Sequence, residues 1–295
     1  MTAISVLLGG AAQGGVYALL VLGFVLTWAG TRIVNLAQGS LAVAGAYIAW
    51  QLQAGLGVPA LTGVALAAAL LMALGCVAGH FSVSALRCRP SFVVLVITFG
   101  VGLTLQGLLT LRYGNDYRTL PPLLATANMA GTAASADLTS VAVIIGCAAC
   151  CAGGIALWRG SLGRVMAAVG ADRETARTLG IRPRRIEGLA TGLGAACAAA
   201  GGGLAGMTGV FHPPDASQYT LVCAVIAIAV GVGSPVRALT AAAALGVAVT
   251  VARYLLGDAS AVLAAIILLL VVLVTRGAGF LQDDGIPAEH EERAR

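Results

Sequence analysis

The chain has 295 residues, of which 59% are hydrophobic and 10% charged, with a net charge of +5 and a mean hydropathy of +0.95. A soluble domain of this length has about 25% charged residues, so the composition excludes a water-soluble protein and indicates an integral membrane protein. All 17 basic residues are arginine. Because a G-x-x-x-x-G-K-[ST] phosphate loop requires lysine, we expect no ATP hydrolysis by this chain.

Apolar runs long enough to cross a membrane as helices recur along the chain. No basic residue precedes the first run, which is therefore predicted to be a true span and not a cleavable signal peptide. The run at 219–234 is short, and we expect it to be tilted, broken or re-entrant. The pattern predicts an all-α, polytopic transmembrane bundle of eight or nine spans, at about 4–28, 36–54, 60–86, 92–111, 138–158, 188–210, 219–234, 238–256 and 260–275.

Arginine is distributed unevenly between the two predicted sides of the membrane. With the N-terminus outside, only Arg112, Arg118 and Arg253 lie outside, and the other arginines of the 17 lie inside. Arginine-rich loops favour the cytoplasm, which predicts an outside N-terminus and a cytoplasmic C-terminus. Residues 276–295 are expected to be a short, charged cytoplasmic tail.

Ionisable residues are scarce within the predicted spans. His80 and Arg253 fall there, near span ends, and no carboxylate does. Proton-coupled carriers commonly place acidic residues near the membrane midplane, so this scarcity disfavours a stand-alone secondary carrier or channel, which stays the alternative. Paired carboxylates, a nucleophile with a base and metal-ligand spacing are also missing. We therefore expect no enzymatic activity, no metal and no cofactor.

The segment 159–187, predicted on the cytoplasmic side, holds seven arginines. Between Gly163 and Gly180 its pattern is that of an amphipathic helix, and Pro183 follows the glycine stop. A helix of this kind suits the groove of a partner protein. An ordinary positively charged loop is the other interpretation.

Uncharged polar residues cluster near the first two spans, where the segment 32–39 interrupts the apolar pattern. A discontinuous helix that lines a cavity produces this interruption, and so does a turn between helices. Gln106 is an isolated amide in the fourth span, suited to a hydrogen bond between helices or to a pore. The candidate residues of a translocation pathway are Gln13, Tyr17, Asn35, Gln38, Gly39 and Gln106.

Four segments in a fixed order carry a family resemblance. Residues 14–49 hold a tyrosine-alanine-leucine stretch and then Asn35, Ala37, Gln38 and Gly39, with leucine between the first two where phenylalanine is usual. Three later segments continue the pattern: 95–124 with its leucine-glutamine pair, 163–206, and a glycine-rich motif at Gly231, Gly233 and Ser234. On these residues the chain resembles the high-affinity branched-chain amino-acid permeases of ABC importers.

The resemblance implies that residues 1–275 form the permease domain, in the bacterial inner membrane. The expected partners are the lipid bilayer, two ATPase subunits, a second homologous permease and a periplasmic solute-binding protein, with no nucleic acid. The expected solutes are branched-chain amino acids or related small polar molecules. The segment 159–187 becomes the expected coupling loop to an ATPase, through Gly163, Arg164, Asp172, Arg173, Ala176, Arg177, Gly180 and Ile181.

Overall fold

A computed structural model describes residues 3–87, 89–121, 133–230 and 234–256. Over these residues the chain is helical, with an isolated bridge between Arg118 and Phe211 as the sole β-type pairing. The predicted span at 260–275, the tail at 276–295 and the residues Gly231 and Gly233 lie outside them. The helices are α1 (Ala3–Thr31), α2 (Gln38–Leu56), α3 (Ala60–Leu86), α4 (Ser91–Tyr113), α5 (Ala133–Arg159), α6 (Ser161–Ala171), α7 (Arg173–Thr178), α8 (Pro183–Thr208), α9 (Asp215–Val230) and α10 (Pro235–Leu256).

Among the described helices, six are long and apolar enough to cross a membrane, namely α1, α3, α4, α5, α8 and α10. The all-helical membrane architecture is therefore confirmed. Helix α9 has 16 residues and reaches only about 24 Å, which agrees with the short run expected there. The count of eight or nine spans and the orientation of the termini stay predictions.

The expected interruption between the first two spans is a break between α1 and α2. Arg32, directly after α1, has a φ of 54°, a left-handed conformation that ends a helix. Gln38, the first residue of α2, donates to the carbonyl oxygens of Leu20 and Gly194. Leu20 lies eleven residues before Thr31, the last residue of α1, and Gly194 lies eleven residues after Pro183, the first residue of α8. Each separation is about 16 Å along the helix. Helix α2 therefore begins deep inside the bundle.

Several polar backbone groups of the non-helical segment 33–37 are bonded within the protein. The amide of Ala37 donates to Oδ1 of Asn35, at 3.1 Å. Thr98 of α4 accepts from the amide of Leu36 and donates to the carbonyl oxygen of Val34. Non-helical backbone at this depth requires such partners, because hydrocarbon offers none.

Helix α8 is the centre of the bundle and is packed through small residues. A Cβ at Gly202 would collide with the backbone of Ala42 in α2, and one at Gly188 would lie 2.7 Å from the carbonyl oxygen of Cys76 in α3. Gly45 of α2 packs as closely against Ala199. Backbone-to-backbone approach of this kind is the usual basis of helix association in membranes, where apolar burial supplies little driving force.

The two ends of the bundle differ in chemistry. We call one of them the Glu187 end, after a residue near the start of α8. Here Nε of Arg87 donates to the last carbonyl oxygen of α1 at 2.7 Å, and the short helices α6 and α7 lie beside the start of α8. At the other, the Phe211 end, Tyr113 donates to Oε1 of Gln51 at 2.6 Å, and the guanidinium of Arg118 lies 4.1 Å from the Trp50 ring centroid.

Glu187, expected in the loop 159–187, belongs instead to α8. This helix begins at Pro183, so the last five residues of the predicted loop are part of a helix that is long and apolar enough to cross a membrane. Proline is favourable in the first turn of a helix, where its missing N–H has no helical partner to lose. Glu187 follows four residues later with a fully buried side chain.

Candidate functional site

A cavity of about 200 Å³ lies between α2, α4 and α9, and one of the predicted pathway residues, Gln106, lines it. Its lining combines apolar side chains with hydroxyl groups and one amide, and carries no charged residue. Sites for small molecules are typically apolar with a few placed polar groups. The lining residues are Leu36, Ser40, Phe99, Gly102, Leu103, Gln106, Ser217, Thr220 and Leu221.

The polar groups of this cavity join the three helices. Oε1 of Gln106 accepts from the Ser217 hydroxyl at 3.2 Å, which connects α4 with α9. The Ser40 hydroxyl donates to the carbonyl oxygen of Gly102 at 2.8 Å, which connects α2 with α4. Thr220 accepts from the amide of Gly39 at 3.2 Å. The cavity can therefore offer hydrogen-bonding groups beside an apolar wall to a solute that has both kinds of surface.

The cavity opens sideways, on the lateral face of the bundle. Phe99, Leu103 and Leu221 are 48%, 49% and 60% exposed in the single chain. Lipid would cover the apolar side chains at no penalty, but it would leave the Gln106 amide and the Ser217 hydroxyl without external partners. The polar lining therefore favours protein or solute, and not hydrocarbon, at this opening.

Three of the six predicted pathway residues lie at this cavity or beside it. Gln106 lines it, and Gly39 borders it through the bond to Thr220. A Cβ at Gly39 would collide with the carbonyl oxygen of Ala216, so glycine is required where α2 and α9 meet. Asn35 holds the turn that precedes α2, next to the lining residue Leu36.

The other three predicted pathway residues lie in helix packing away from the cavity. The side chain of Gln38 is fully buried and bonds α2 to α1 and α8. Tyr17 is 1% exposed, with its ring edge-on to Tyr219 at 6.5 Å, and Gln13 lies about one turn before it on α1. These residues support the helices around the cavity.

Sequence reasoning missed three hydroxyl residues of the cavity, Ser40, Ser217 and Thr220. Two of them stand three positions apart in α9, a spacing that places side chains on the same helix face. The sequence alone therefore shows that Ser217 and Thr220 share a helix face. It does not show that they lie beside Ser40, because that depends on the tertiary packing of α2 against α9.

The segment predicted as one amphipathic helix forms two, α6 and α7, separated at Asp172. This residue is extended, with φ −143° and ψ 111°, and its carboxylate accepts from the amides of Glu174 and Thr175 at 2.9 and 3.2 Å. The Thr175 hydroxyl also donates to it. These bonds, above all the one from the Thr175 hydroxyl, lower the pKa of Asp172. Asp172 is thus the N-cap of α7.

Helix α7 ends in a Schellman motif. Gly180 has a φ of 79° and donates to the carbonyl oxygen of Arg177 at 2.9 Å, while Ile181 donates to that of Ala176 at 3.1 Å. Glycine is favoured at this position because its left-handed backbone strains any residue with a Cβ. The glycine stop expected at this position is therefore the end of α7.

The coupling candidates divide into an inward and an outward set. Gly163 packs against the Trp158 backbone, and Ala176 is 2% exposed. Arg164 and Arg177 are exposed, and beside them Leu179 is 72% exposed. Arg173 is half-buried and turns toward Glu187. Only part of the predicted set therefore offers a surface to a partner, and Leu179 belongs with that part.

Comparisons with known proteins agree with the resemblance. A family model described as the branched-chain amino acid transport system permease component matches residues 6–275. BraD of Pseudomonas aeruginosa, a high-affinity branched-chain amino acid transport system permease protein, is 27% identical over 292 residues, covering 93% of this chain and 94% of the relative. LivH of Escherichia coli K12, a permease protein of the same description, is 27% identical over 280 residues, covering 90% and 91%. No solved structure matches.

Proposed function

Because the chain belongs to the family of branched-chain amino acid transport system permease components, we propose that it is one of two permease subunits of an ATP-driven importer. As a family member it is a multi-pass transport protein of the bacterial inner membrane and not an enzyme. In the proposed complex two ATPase subunits hydrolyse ATP, and a periplasmic solute-binding protein delivers branched-chain amino acids or related small polar solutes.

The observation that carries the proposal is the laterally open, uncharged cavity between α2, α4 and α9. At about 200 Å³ it is smaller than the ~300 Å³ at the lower end of common ligand sites. A second permease placed against this face would enlarge it and would cover the Gln106 amide and the Ser217 hydroxyl. Hydroxyl and amide groups can guide an amino acid without holding it as tightly as a buried charge would. Branched aliphatic side chains suit the wall of Phe99, Leu103 and Leu221.

The outward face of α6 and α7 supports docking of an ATPase at the Glu187 end. Arg164 and Arg177 supply positive charge there, and Leu179 supplies an exposed apolar contact. Arginine is enriched among the residues that dominate the binding energy of protein interfaces. The same end carries the arginine excess that predicts the cytoplasmic side. Closure of the ATPase pair would shift α7 and bias the bundle between outward-open and inward-open states.

The test is a tagged pull-down from gently solubilised native membranes, with partners identified by mass spectrometry. The wild-type chain is expected to recover an ATPase, a second permease and the solute-binding protein. Arg164→Glu with Arg177→Glu is expected to reduce ATPase recovery at least tenfold, about 1.4 kcal/mol, with membrane insertion intact. Arg112→Glu, an exposed arginine at the Phe211 end, is the control and is expected to change nothing.

Two results would count against the proposal. Recovery of the wild-type chain alone, from a detergent that preserves related complexes, would support a stand-alone carrier. Full ATPase recovery with the doubly reversed variant would remove the docking role of α6 and α7 and leave the permease assignment in place.

A further inference from the structure

The carboxylate of Glu187 lies between two arginines from different parts of the bundle. Its Oε2 is 3.5 Å from Nη2 of Arg173 on α7, and its Oε1 is 3.7 Å from Nη1 of Arg87 at the end of α3. The Glu187 side chain is fully buried, whereas the two arginine side chains are 19–20% exposed. A buried charge persists in a protein only where other groups compensate it, and these two arginines do so.

Each arginine also has a second anchor. Nη2 of Arg173 donates to the Ser84 hydroxyl of α3 at 2.8 Å, and Nε of Arg87 donates to the Thr31 carbonyl oxygen, the last of α1, at 2.7 Å. One carboxylate therefore connects four helices: α1 and α3 at their ends, α8 near its start, and α7 of the coupling segment.

The helix ends favour the positive charge in this arrangement. Glu187 is four residues after the first residue of α8, so its charge is compensated by the two arginines and not by the helix dipole, which acts within the first turn. Arg87 directly follows α3 and bonds the end of α1, and helix C-termini stabilise a cation. The site thus fits one carboxylate and two guanidinium groups in these positions.

Buried ion pairs contribute little net stability, because desolvation offsets the attraction, and their best-attested role is to fix the register of packed elements. Both pairs here are longer than the 2.7–2.9 Å of a tight charge-assisted hydrogen bond. Arg177, on the same short helix, contrasts with Arg173, since it is exposed and pairs with the exposed Glu174 at 3.1 Å. One arginine of α7 faces outward and the other faces the bundle.

We propose that Glu187 and Arg173 are positioning residues that transmit movement of α7 to α3 and α8. The inference rests on the proposed function, in which an ATPase moves the coupling helices. In this role Arg173 does not bind the ATPase. It holds α7 to the buried carboxylate, so that a displacement of α7 also moves the start of α8 relative to the end of α3. Through Arg87 the same displacement reaches the end of α1.

The experiment measures three quantities in the purified importer complex: ATPase recovered, ATP hydrolysis rate, and leucine transported per ATP in proteoliposomes. Arg173→Gln is expected to retain the ATPase and hydrolyse ATP while leucine transported per ATP falls about tenfold, within the usual range of coupling between sites. Arg173→Lys, which keeps the charge, should restore most of the transport. Thr178→Ala, an exposed α7 substitution, is the neutral control.

Glu187→Gln, Arg173→Gln and the variant that carries both substitutions form a double-mutant cycle. If the two residues act through each other, the double variant is no worse than the more affected single one. If Glu187→Gln does not fold, the comparison of Arg173→Gln with Arg173→Lys still tests the proposal, because Arg87 remains paired with Glu187 in both variants.

Unchanged transport per ATP in Arg173→Gln would overturn the proposal. Loss of the ATPase from that variant would overturn it too, because Arg173 would then be a docking residue. Failure of the wild-type complex to contain an ATPase is a different result, which contradicts the proposed function itself.

Discussion

Helices α8 and α4 have similar lengths and are both able to cross a membrane, yet they are buried very differently. In α8 67% of the most apolar stretch is buried within the chain, against 22% in α4. The less hydrophobic of the two is the buried one. In a membrane the surroundings are as apolar as any leucine, so hydrophobicity does not drive a helix to the centre; close backbone packing does. Glycine and alanine place α8 at the centre, and larger apolar residues leave α4 at the periphery.

The largest expected effect comes from a glycine substitution that distinguishes the two helices. At Gly202 of α8 a Cβ would collide with the Ala42 backbone, so Gly202→Ala is expected to destabilise the protein by about 3 kcal/mol, the upper range for overpacking. At Gly107 of α4 nothing lies within 4 Å of the added atom. Gly107→Ala is expected to be neutral or to stabilise by about 0.5–1 kcal/mol.

The measurement for this pair is unfolding of the purified protein in detergent, followed by circular dichroism. Equal destabilisation by both substitutions would mean that α8 is no more tightly packed than α4, and the contrast between the helices would be lost.

The second prediction concerns Gln106, the single amide side chain of α4. Gln106→Leu removes the acceptor for Ser217 and the amide of the cavity, so uptake at low solute concentration is expected to fall about fivefold, the equivalent of about 1 kcal/mol for one hydrogen bond. Thr104→Val is the control, because that hydroxyl bonds the Gly100 carbonyl of its own helix. Equal uptake by the two variants, each assembled with its partners, would show that Gln106 does not contribute to the translocation pathway.

A smaller effect is expected at the break before α2. Asn35→Leu removes the acceptor for the Ala37 amide and is expected to slow translocation about threefold, near the low end of one hydrogen bond's net value, without releasing the ATPases. Asn35→Asp keeps an acceptor at the same position and should lie nearer to wild type. Initial uptake rates and ATPase recovery measure the two effects separately. Wild-type uptake by Asn35→Leu would make the amide dispensable for transport.

The smallest effect is expected at Asp172, and it should stay local. Asp172→Ala removes the cap of α7 and is expected to raise hydrogen exchange severalfold over residues 174–178, whereas Asp172→Ser keeps an acceptor and most of the protection. Because the pKa of Asp172 is lowered in the folded state, its stabilisation is complete above the unfolded value of about 3.9 and is lost as the pH falls through the folded value. A protection factor, corrected for the intrinsic pH dependence of amide exchange, that changes between pH 5 and 7 at this helix would contradict the capping role.

The positions of the helices were largely predictable from the sequence. Each of the eight predicted spans up to residue 256 overlaps a helix, because apolar runs closed by arginine, glycine or proline mark their own limits. The break between α1 and α2 was predictable as well, since polar residues interrupt the apolar pattern there. The start of α8 was placed too late, because three arginines beside Pro183 suggested a loop.

Two features of the site required the three-dimensional structure. The cavity combines hydroxyl groups from α2 and α9 with the Gln106 amide, and Ser40 and Ser217 are more than 170 residues apart in the chain. The linkage of Glu187 to Arg87 and Arg173 likewise depends on three helix ends meeting at one point. In each case the participants have ordinary local contexts, and only tertiary packing shows that they act together.

The most direct test of the permease role is leucine uptake by proteoliposomes that contain the purified complex, with its solute-binding protein outside and ATP inside. We expect accumulation only when hydrolysable ATP is enclosed, with isoleucine and valine as competitors and no effect from dissipating proton or sodium gradients. Accumulation by the isolated chain, driven by such a gradient without ATP, would contradict the assignment and identify a stand-alone carrier.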